Sequence, residues 1–404
     1  MTHTQMKYPL PADRTDVLRA EQRRKMARSA HAYVRGNTAK FYDWLKRSPI
    51  ARTIPKGPPI WICGDCHLGN LGPLSDGHGG IEVQIRDLDQ TVIGNPALDL
   101  IRLGLSLASA ARGSDLPGVV TARMIEAMIA GYASALGDPD AEVDTRGHEP
   151  DAVRTVRRRA LGRRWRHLAR ERIGDEQPTI PLGKRFWAID VAEREALAEL
   201  FDDPAVLRTI LSLDRKEEVK TRLVDAAYWM KGCSSLGLLR YAAIVAVKGD
   251  AKRENYALID LKQAVASVAP VVRGAPMPED PAERVVAGAC ALSPHLGERM
   301  VAATLLGRPM FLRELMPQDL KIEVEQFTRG EAVRAAGYLA WVVGHAHARQ
   351  LDATARKAWR RELLDNHGGG MDAPSWLWRS VVDLAGAHEA AYLEHCRAFA
   401  LAHD

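Results

Sequence analysis

Two short stretches hold most of the side chains able to do chemistry. Gly64-Asp65-Cys66-His67-Leu68-Gly69-Asn70 follows the apolar run Ile60-Trp61-Ile62-Cys63, and Arg86-Asp87-Leu88-Asp89 follows the alternating run Ile81-Glu82-Val83-Gln84-Ile85. Each reads as a loop fed by a strand. An aspartate, an amide and a further carboxylate on two such loops make up the set that phosphoryl transfer needs. One carboxylate orients the attacking hydroxyl or takes its proton, while an amide oxygen and a second carboxylate hold Mg²⁺ on nucleotide phosphates. Asp and Asn are equally at home in plain turns, so Asp65 and Asn70 alone leave turn chemistry open.

The rest of the chain supplies the elements that must position these loops. Residues 16 to 48 read as two helices meeting at Arg35-Gly36, with Leu18, Met26, Tyr33, Phe41, Trp44 and Leu45 at roughly helical spacing. A helix starts at Asn95-Pro96, and a second covers 118 to 136. Composition changes over 137 to 185, where Asp138, Asp140, Glu142 and Asp144 precede an arginine helix over 154 to 172. Its Arg154, Arg157, Arg158 and Arg164 suit either a stripe that meets an acidic partner or a solvated face opposite Leu161, Trp165 and Leu168. Residues 191 to 213 read as a helix, Leu238 to Lys248 and Tyr256 to Leu261 as strands, and 282 to 306 as mostly helix. Pro309 to Leu315 reads as a strand and 329 to 404 as helical.

With 404 residues, 46% hydrophobic and 26% charged, the composition is that of a folded chain. A formal charge of +5 admits anionic ligands without demanding nucleic acid. No apolar run reaches the roughly 20 residues of a membrane span. Met1 to Asp16 lacks the apolar centre of a signal peptide, so the expected location is cytoplasmic and away from membranes. Cys63, Cys66, Cys233, Cys290 and Cys396 are too few and scattered for a disulfide framework and read as reduced thiols. His345 and His347 point to different sides of a helix, which does not suit zinc.

The first loop resembles the Gly-Asp-x-His-x-x-Asn catalytic loop of aminoglycoside and choline kinase-like phosphotransferases. Ile85-Arg86-Asp87-Leu88-Asp89 resembles the metal loop those enzymes carry next, and Gly94-Asn95-Pro96-Ala97-Leu98-Asp99-Leu100 the segment that packs beneath the catalytic loop. More closely, the chain resembles the DUF2252 family of uncharacterised bacterial proteins. Lys25 to Ser29, Tyr33-Val34-Arg35-Gly36, Arg102-Leu103, Ser235-Leu236-Gly237, Leu261-Lys262-Gln263-Ala264, Arg284-Val285-Val286 and His345 to Arg349 follow its pattern in order. The resemblance implies that Asp65 is the catalytic base or positions the hydroxyl. It makes Asn70 and Asp87 Mg²⁺ ligands, Asp89 a further carboxylate there, and Asp99 structural. His67 either supports the loop by hydrogen bonding or touches the transferred phosphate. Arg35 either reaches phosphates or an anionic substrate, or pairs with a loop carboxylate.

The turn Gly232-Cys233-Ser234-Ser235-Leu236-Gly237 resembles a glycine-rich nucleotide loop, and also suits an ordinary hairpin. Lys262, ending the apolar run after it, matches the phosphate-pairing lysine of kinase small lobes, or else a snorkelling surface lysine. Its expected partner is Glu283, with Glu279 as alternate. The family commonly has Lys-Glu-Ala where this chain has Lys262-Gln263-Ala264. Phe311 to Met316 would lie behind the adenine. These parts follow the catalytic loop instead of preceding it, and Gly337 to Ala348 resembles the helix that ordinarily runs just before that loop. The expected fold is therefore α+β, protein-kinase-like and circularly permuted. A small β-rich lobe covers 220 to 320. A large helical lobe combines 1 to 219 with 321 to 404, and 137 to 190 is an insertion. ATP and Mg²⁺ are expected in the cleft, with γ-phosphate transfer to a hydroxyl on a small molecule or protein. AMP transfer and a non-catalytic nucleotide-binding scaffold remain open alternatives, and the sequence does not name the acceptor.

Overall fold

Apolar residues recurring among Arg and Lys form the first helices, α1 (Arg14–Met26), α2 (Ala30–Gly36) and α3 (Thr38–Arg47). Ser29 and Asn37 accept from the amides of Ala32 and Lys40, so side chains satisfy donors that helix starts leave open. The expected break at Gly36 is present, and a further break over 27 to 29 divides the stretch again. The computed structural model describes residues 8–78, 80–137, 149–161, 163, 167–169, 179–211, 220–233, 235–248, 255–320, 328–364 and 373–401. Ser234, the acidic run from Asp138, and Arg164 and Trp165 of the arginine helix lie outside the described residues.

Four short strands follow: β1 (Ile60–Ile62), β2 (Leu71–Ser75), β3 (Ile81–Ile85) and β4 (Val92–Gly94). β1 pairs with β4 and β2 with β3, both antiparallel. The connections β1–β2 and β3–β4 must therefore run side by side, and they are the two candidate loops. Next come α4 (Ala97–Gly113), α5 (Gly118–Ala135) and α6 (Asp151–Leu161). α6 is the first described part of the arginine helix; residues 163 and 167–169 are described too, and Leu168 is buried as its apolar face requires. Val153 and Ala160 are buried on it, while Leu161, expected on the apolar side, is exposed. Arg157 pairs with Glu149 and Arg154 with Asp151, so these arginines have local acidic partners.

The order continues with β5 (Phe186–Trp187), α7 (Val191–Leu200), α8 (Pro204–Leu211), β6 (Lys220–Trp229), β7 (Arg240–Lys248) and β8 (Asn255–Gln263). It closes with α9 (Pro281–Leu292), β9 (Met300–Leu305), β10 (Arg308–Glu314), α10 (Arg329–Ala348), α11 (Ala353–Leu364) and α12 (Ser375–Leu401). Six strands form one antiparallel sheet in the order β5-β6-β7-β8-β10-β9. β6 and β9 lack strand assignments in the sequence reading. The helix expected over 282 to 306 ends at Leu292. Ser293-Pro294 breaks it, and Met300–Leu305 turns back onto β10 through Leu306-Gly307, both at positive φ as a two-residue hairpin requires. The helix expected over 191 to 213 divides at 201 to 203.

Leu197, Phe201 and Val206 pack with Tyr241, Val245 and Leu261 on one face of the sheet. Phe186, Trp229, Ile244 and Leu258 share the other. The sheet unit therefore begins before residue 220. β5, expected inside an insertion, pairs with the end of β6, and α7 and α8 cover the sheet. A separate core joins the first and last thirds of the chain through Phe41, Ile85, Leu103, Met128, Leu339 and Trp376. Within it α5 and α10 approach so closely that a Cβ on Gly131 would stand 2.1 Å from the carbonyl oxygen of Gly337. Gly131→Ala is expected to destabilise the protein by about 3 kcal/mol, read as a lower urea midpoint at unchanged slope.

Candidate functional site

The first loop is held from below. Asp99, fully buried near the start of α4, accepts from the Cys63 amide at 2.7 Å and the Gly64 amide at 2.9 Å. His347 on α10 lies 3.2 Å from the same carboxylate through Nε2, and its Nδ1 is 2.9 Å from the Tyr132 hydroxyl. Trp359 donates its indole N–H to that hydroxyl oxygen. The directions are mutually consistent: Trp359 to Tyr132, Tyr132 to His347, His347 to Asp99. The structural role expected for Asp99 is thus visible, and His347 is a loop support carried by the last third of the chain. Gly64 sits at φ 73, and a Cβ there would meet the Gln90 carbonyl oxygen at 2.2 Å, so the two loops touch at a position only glycine fits.

Above this base, Asp65 Oδ1 receives Arg102 Nε at 2.9 Å. Arg102, fully buried in an apolar helix, also donates to the Val34 carbonyl. Asp65 Oδ2 has no hydrogen bond among the described residues. Asn70 Nδ2 donates to the Asp65 carbonyl at 2.9 Å and reaches the Asp87 carbonyl at 3.5 Å, tying the loops together. The His67 side chain does not support the loop as one of its two expected roles required: its Nδ1 is buried without a partner among the described residues. Burial holds the ring neutral and lowers its pKa to about 3, with Asp65 opposing and Arg35 and Arg102 reinforcing. Cys63 and Cys66 flank Asp65 in the core. Their mutual hydrogen bond and burial push Cys63 well up. Cys66 is pulled down by that bond, but burial together with the Asp99 and Asp65 carboxylates raises it overall.

The second loop faces the sheet. Lys262, 4% exposed on β8, forms an ion pair with Asp89 and lies 3.5 Å from Asp87. Burial lowers the Lys262 pKa, with Asp87 partly restoring it. The Asp87 side chain keeps 48% of its surface open. Its crowded cleft disfavours the charged form, but Lys262, then Arg313 and Arg240, hold the carboxyl well below the usual range. Register explains the basic surroundings. Arg240 and Phe311 flank Lys262 across the strands, and Arg313 stands opposite Asp260. Asp260 is bound by Arg240 at 2.9 and 2.6 Å and lies within 3.3 Å of Arg313.

Glu283 does not reach Lys262. It is exposed in the first turn of α9, where its amide is capped by Asp280, and Glu279 is also exposed. Arg284 beside it points inward and donates to the carbonyls of Thr91, Asp89 and Val265, binding the second loop to the end of β8. Gly232 and Gly237 have φ of 95 and 103 in the connection from β6 to β7, and Ser235 lies in the same turn. Lys25 donates to the Gly232 carbonyl, so α1 braces this turn. Arg35 has no loop carboxylate as a partner; its Cζ lies 3.2 Å from where a Cβ on Gly69 would stand. Arg102, Arg240, Asp260, Arg284 and Arg313 were not among the expected site residues. Their signal in the sequence is a charge inside an apolar run, clearest at Arg102.

Among the described residues no three His, Cys, Asp or Glu side chains form a metal cage. Mg²⁺ asks for less, one or two carboxylates with water and phosphate oxygens. Asp87 and Asp89 with Asn70 fit that demand, since Asp89 Oδ1 is buried with no donor of its own.

Two cores, one around a sheet and one helical, thus meet at paired charges in a mixed α/β protein. No described helix is long and apolar enough to cross a membrane. Over residues 14–398 the sequence matches DUF2252, an uncharacterized protein conserved in bacteria, and the chain belongs to that family. No curated protein and no solved structure matches it.

His67 and His388 are both buried and both lowered to about 3. Between that value and the ordinary ~6.5 the unfolded chain binds more protons, so stability is complete above about pH 6.5 and falls as pH drops. Each histidine is expected to cost up to about 1.4 kcal/mol per pH unit in that window. Urea unfolding at pH 7 and pH 5 checks this, and His67→Gln with His388→Gln flattens the dependence.

Proposed function

We propose that the protein is an ATP- and Mg²⁺-dependent phosphotransferase with a circularly permuted, kinase-like fold. The sheet unit is the small lobe and the helical core the large one. The observation that carries this reading is Lys262, a buried lysine on a central strand, meeting Asp87 and Asp89 from the other core. Phosphates are drawn by such a lysine, and the carboxylates suit the cation that accompanies phosphates. The supporting neighbours are the glycine turn at 232 to 237 and the basic strand face of Arg240 and Arg313. Glu283 is not the lysine's partner; the loop carboxylates of Asp87 and Asp89 take that part.

Asp87, Asp89 and Asn70 would hold Mg²⁺, which supplies charge neutralisation at the phosphates. Asp65 acts on the acceptor. Arg102 fixes its Oδ1 and leaves Oδ2 to take the proton of the attacking hydroxyl. A P–O bond forms to the acceptor oxygen and the bond from γ-phosphorus to the β-bridging oxygen breaks. ADP leaves with that electron pair, and the proton passes from Asp65 to solvent.

Calorimetry of the full chain with ATP and Mg²⁺ is expected to give saturable binding. Asp87→Asn and Lys262→Met should each weaken it by about tenfold or more. Asp65→Asn should bind as the unmodified protein does and lose about 10³-fold in transfer rate. No heat from the unmodified protein would remove the reading.

A further inference from the structure

A cavity of about 890 Å³ lies against the first loop. It is within the size range of small-molecule sites. Leu68 and Gly69 of the loop form one wall, α2 contributes His31, Val34 and Arg35, and α12 contributes His388. Leu116 and Ala108 add apolar surface. Arg112 and Glu389 at its edge pair with each other, which leaves Arg35 as the uncompensated charge of the lining. Burial, reinforced by Arg35, disfavours protonation of His31 and of His67.

His388 is 2% exposed. Its Nδ1 lies 3.1 Å from the Leu384 carbonyl, which can only accept, so Nδ1 carries the proton. The neutral ring then offers Nε2 as an acceptor, and Nε2 is buried with no partner among the described residues. The cavity thus combines a guanidinium and an apolar wall, beside the loop that carries Asp65.

We propose that this cavity binds the hydroxyl-bearing acceptor, and that the acceptor carries an anionic group, carboxylate or phosphate, that pairs with Arg35. The inference rests on the phosphotransfer reading and gives it an acceptor class, small hydroxylated anions.

The test is calorimetry on the full chain with L-malate, glycerol 3-phosphate, inorganic phosphate and neutral glycerol. L-malate and glycerol 3-phosphate are expected to bind and glycerol to give no signal. Arg35→Gln should weaken both anions by about tenfold or more, with Arg35→Lys restoring most of the loss. Lys262→Met should bind the anions normally, and this arm needs no cavity variant to fold. The proposal is overturned if the unmodified protein binds none of the anions. It also falls if Arg35→Gln binds them as the unmodified protein does, or if Lys262→Met loses them together with ATP. ATP binding without anion binding sinks the acceptor assignment alone, whereas absence of ATP binding sinks the phosphotransfer reading and the assignment with it.

Discussion

Everything at the site depends on one buried carboxylate. Asp99 takes up two consecutive amides of the first loop, and without it those donors would be left unsatisfied in the core at about 1–3 kcal/mol each. It is itself oriented by His347 from the last third of the chain, which Tyr132 of α5 and Trp359 of α11 hold in turn. The position of Asp65 is thus fixed by helices that the chain makes some 250 residues later. This is why the close fit of α5 on α10 matters to a site it does not touch: it fixes where His347 stands.

The second dependence is electrostatic. Strand alternation puts Asp260 and Lys262 on the same face of β8, and cross-strand register adds Arg240 and Arg313. Such a crowd of cations is stable only with anions nearby. Asp260 provides one from within the sheet, and Asp87 and Asp89 provide others from the helical core. The contact between the two cores therefore combines these ion pairs with apolar packing of Met300 and Phe311. Arg284 adds carbonyl contacts that hold the loop backbone in place.

Much of this is legible in the sequence. The Gly-Asp-x-His-x-x-Asn loop, its strand and the helix beneath it are local, so spacing suggests the loop and strand, and the family resemblance adds the rest. Lys262 is legible because it ends an apolar run. The partner of Lys262 is not, because it is set by how two cores meet. Glu283 sits three residues after the Asp280 cap, where a carboxylate favours the free amides of a helix start and has no reason to turn inward. β6 and β9 escape for a different reason. Lys220–Trp229 carries charges at its start, and Met300–Leu305 is a short run that suits helix or strand until the Leu306-Gly307 turn pairs it with β10. His347 reads as a helix residue without a task until the fold brings it to Asp99.

The thiols of Cys63 and Cys66 stand on either side of Asp65, sealed from solvent and held in their protonated, unreactive form. A thiol-modifying reagent can reach them only when the loop lifts off Asp99. The protein therefore contains its own gauge of how often that lifting occurs: the rate at which these two sulfurs become modified measures the breathing of the loop, with no foreign label at the site.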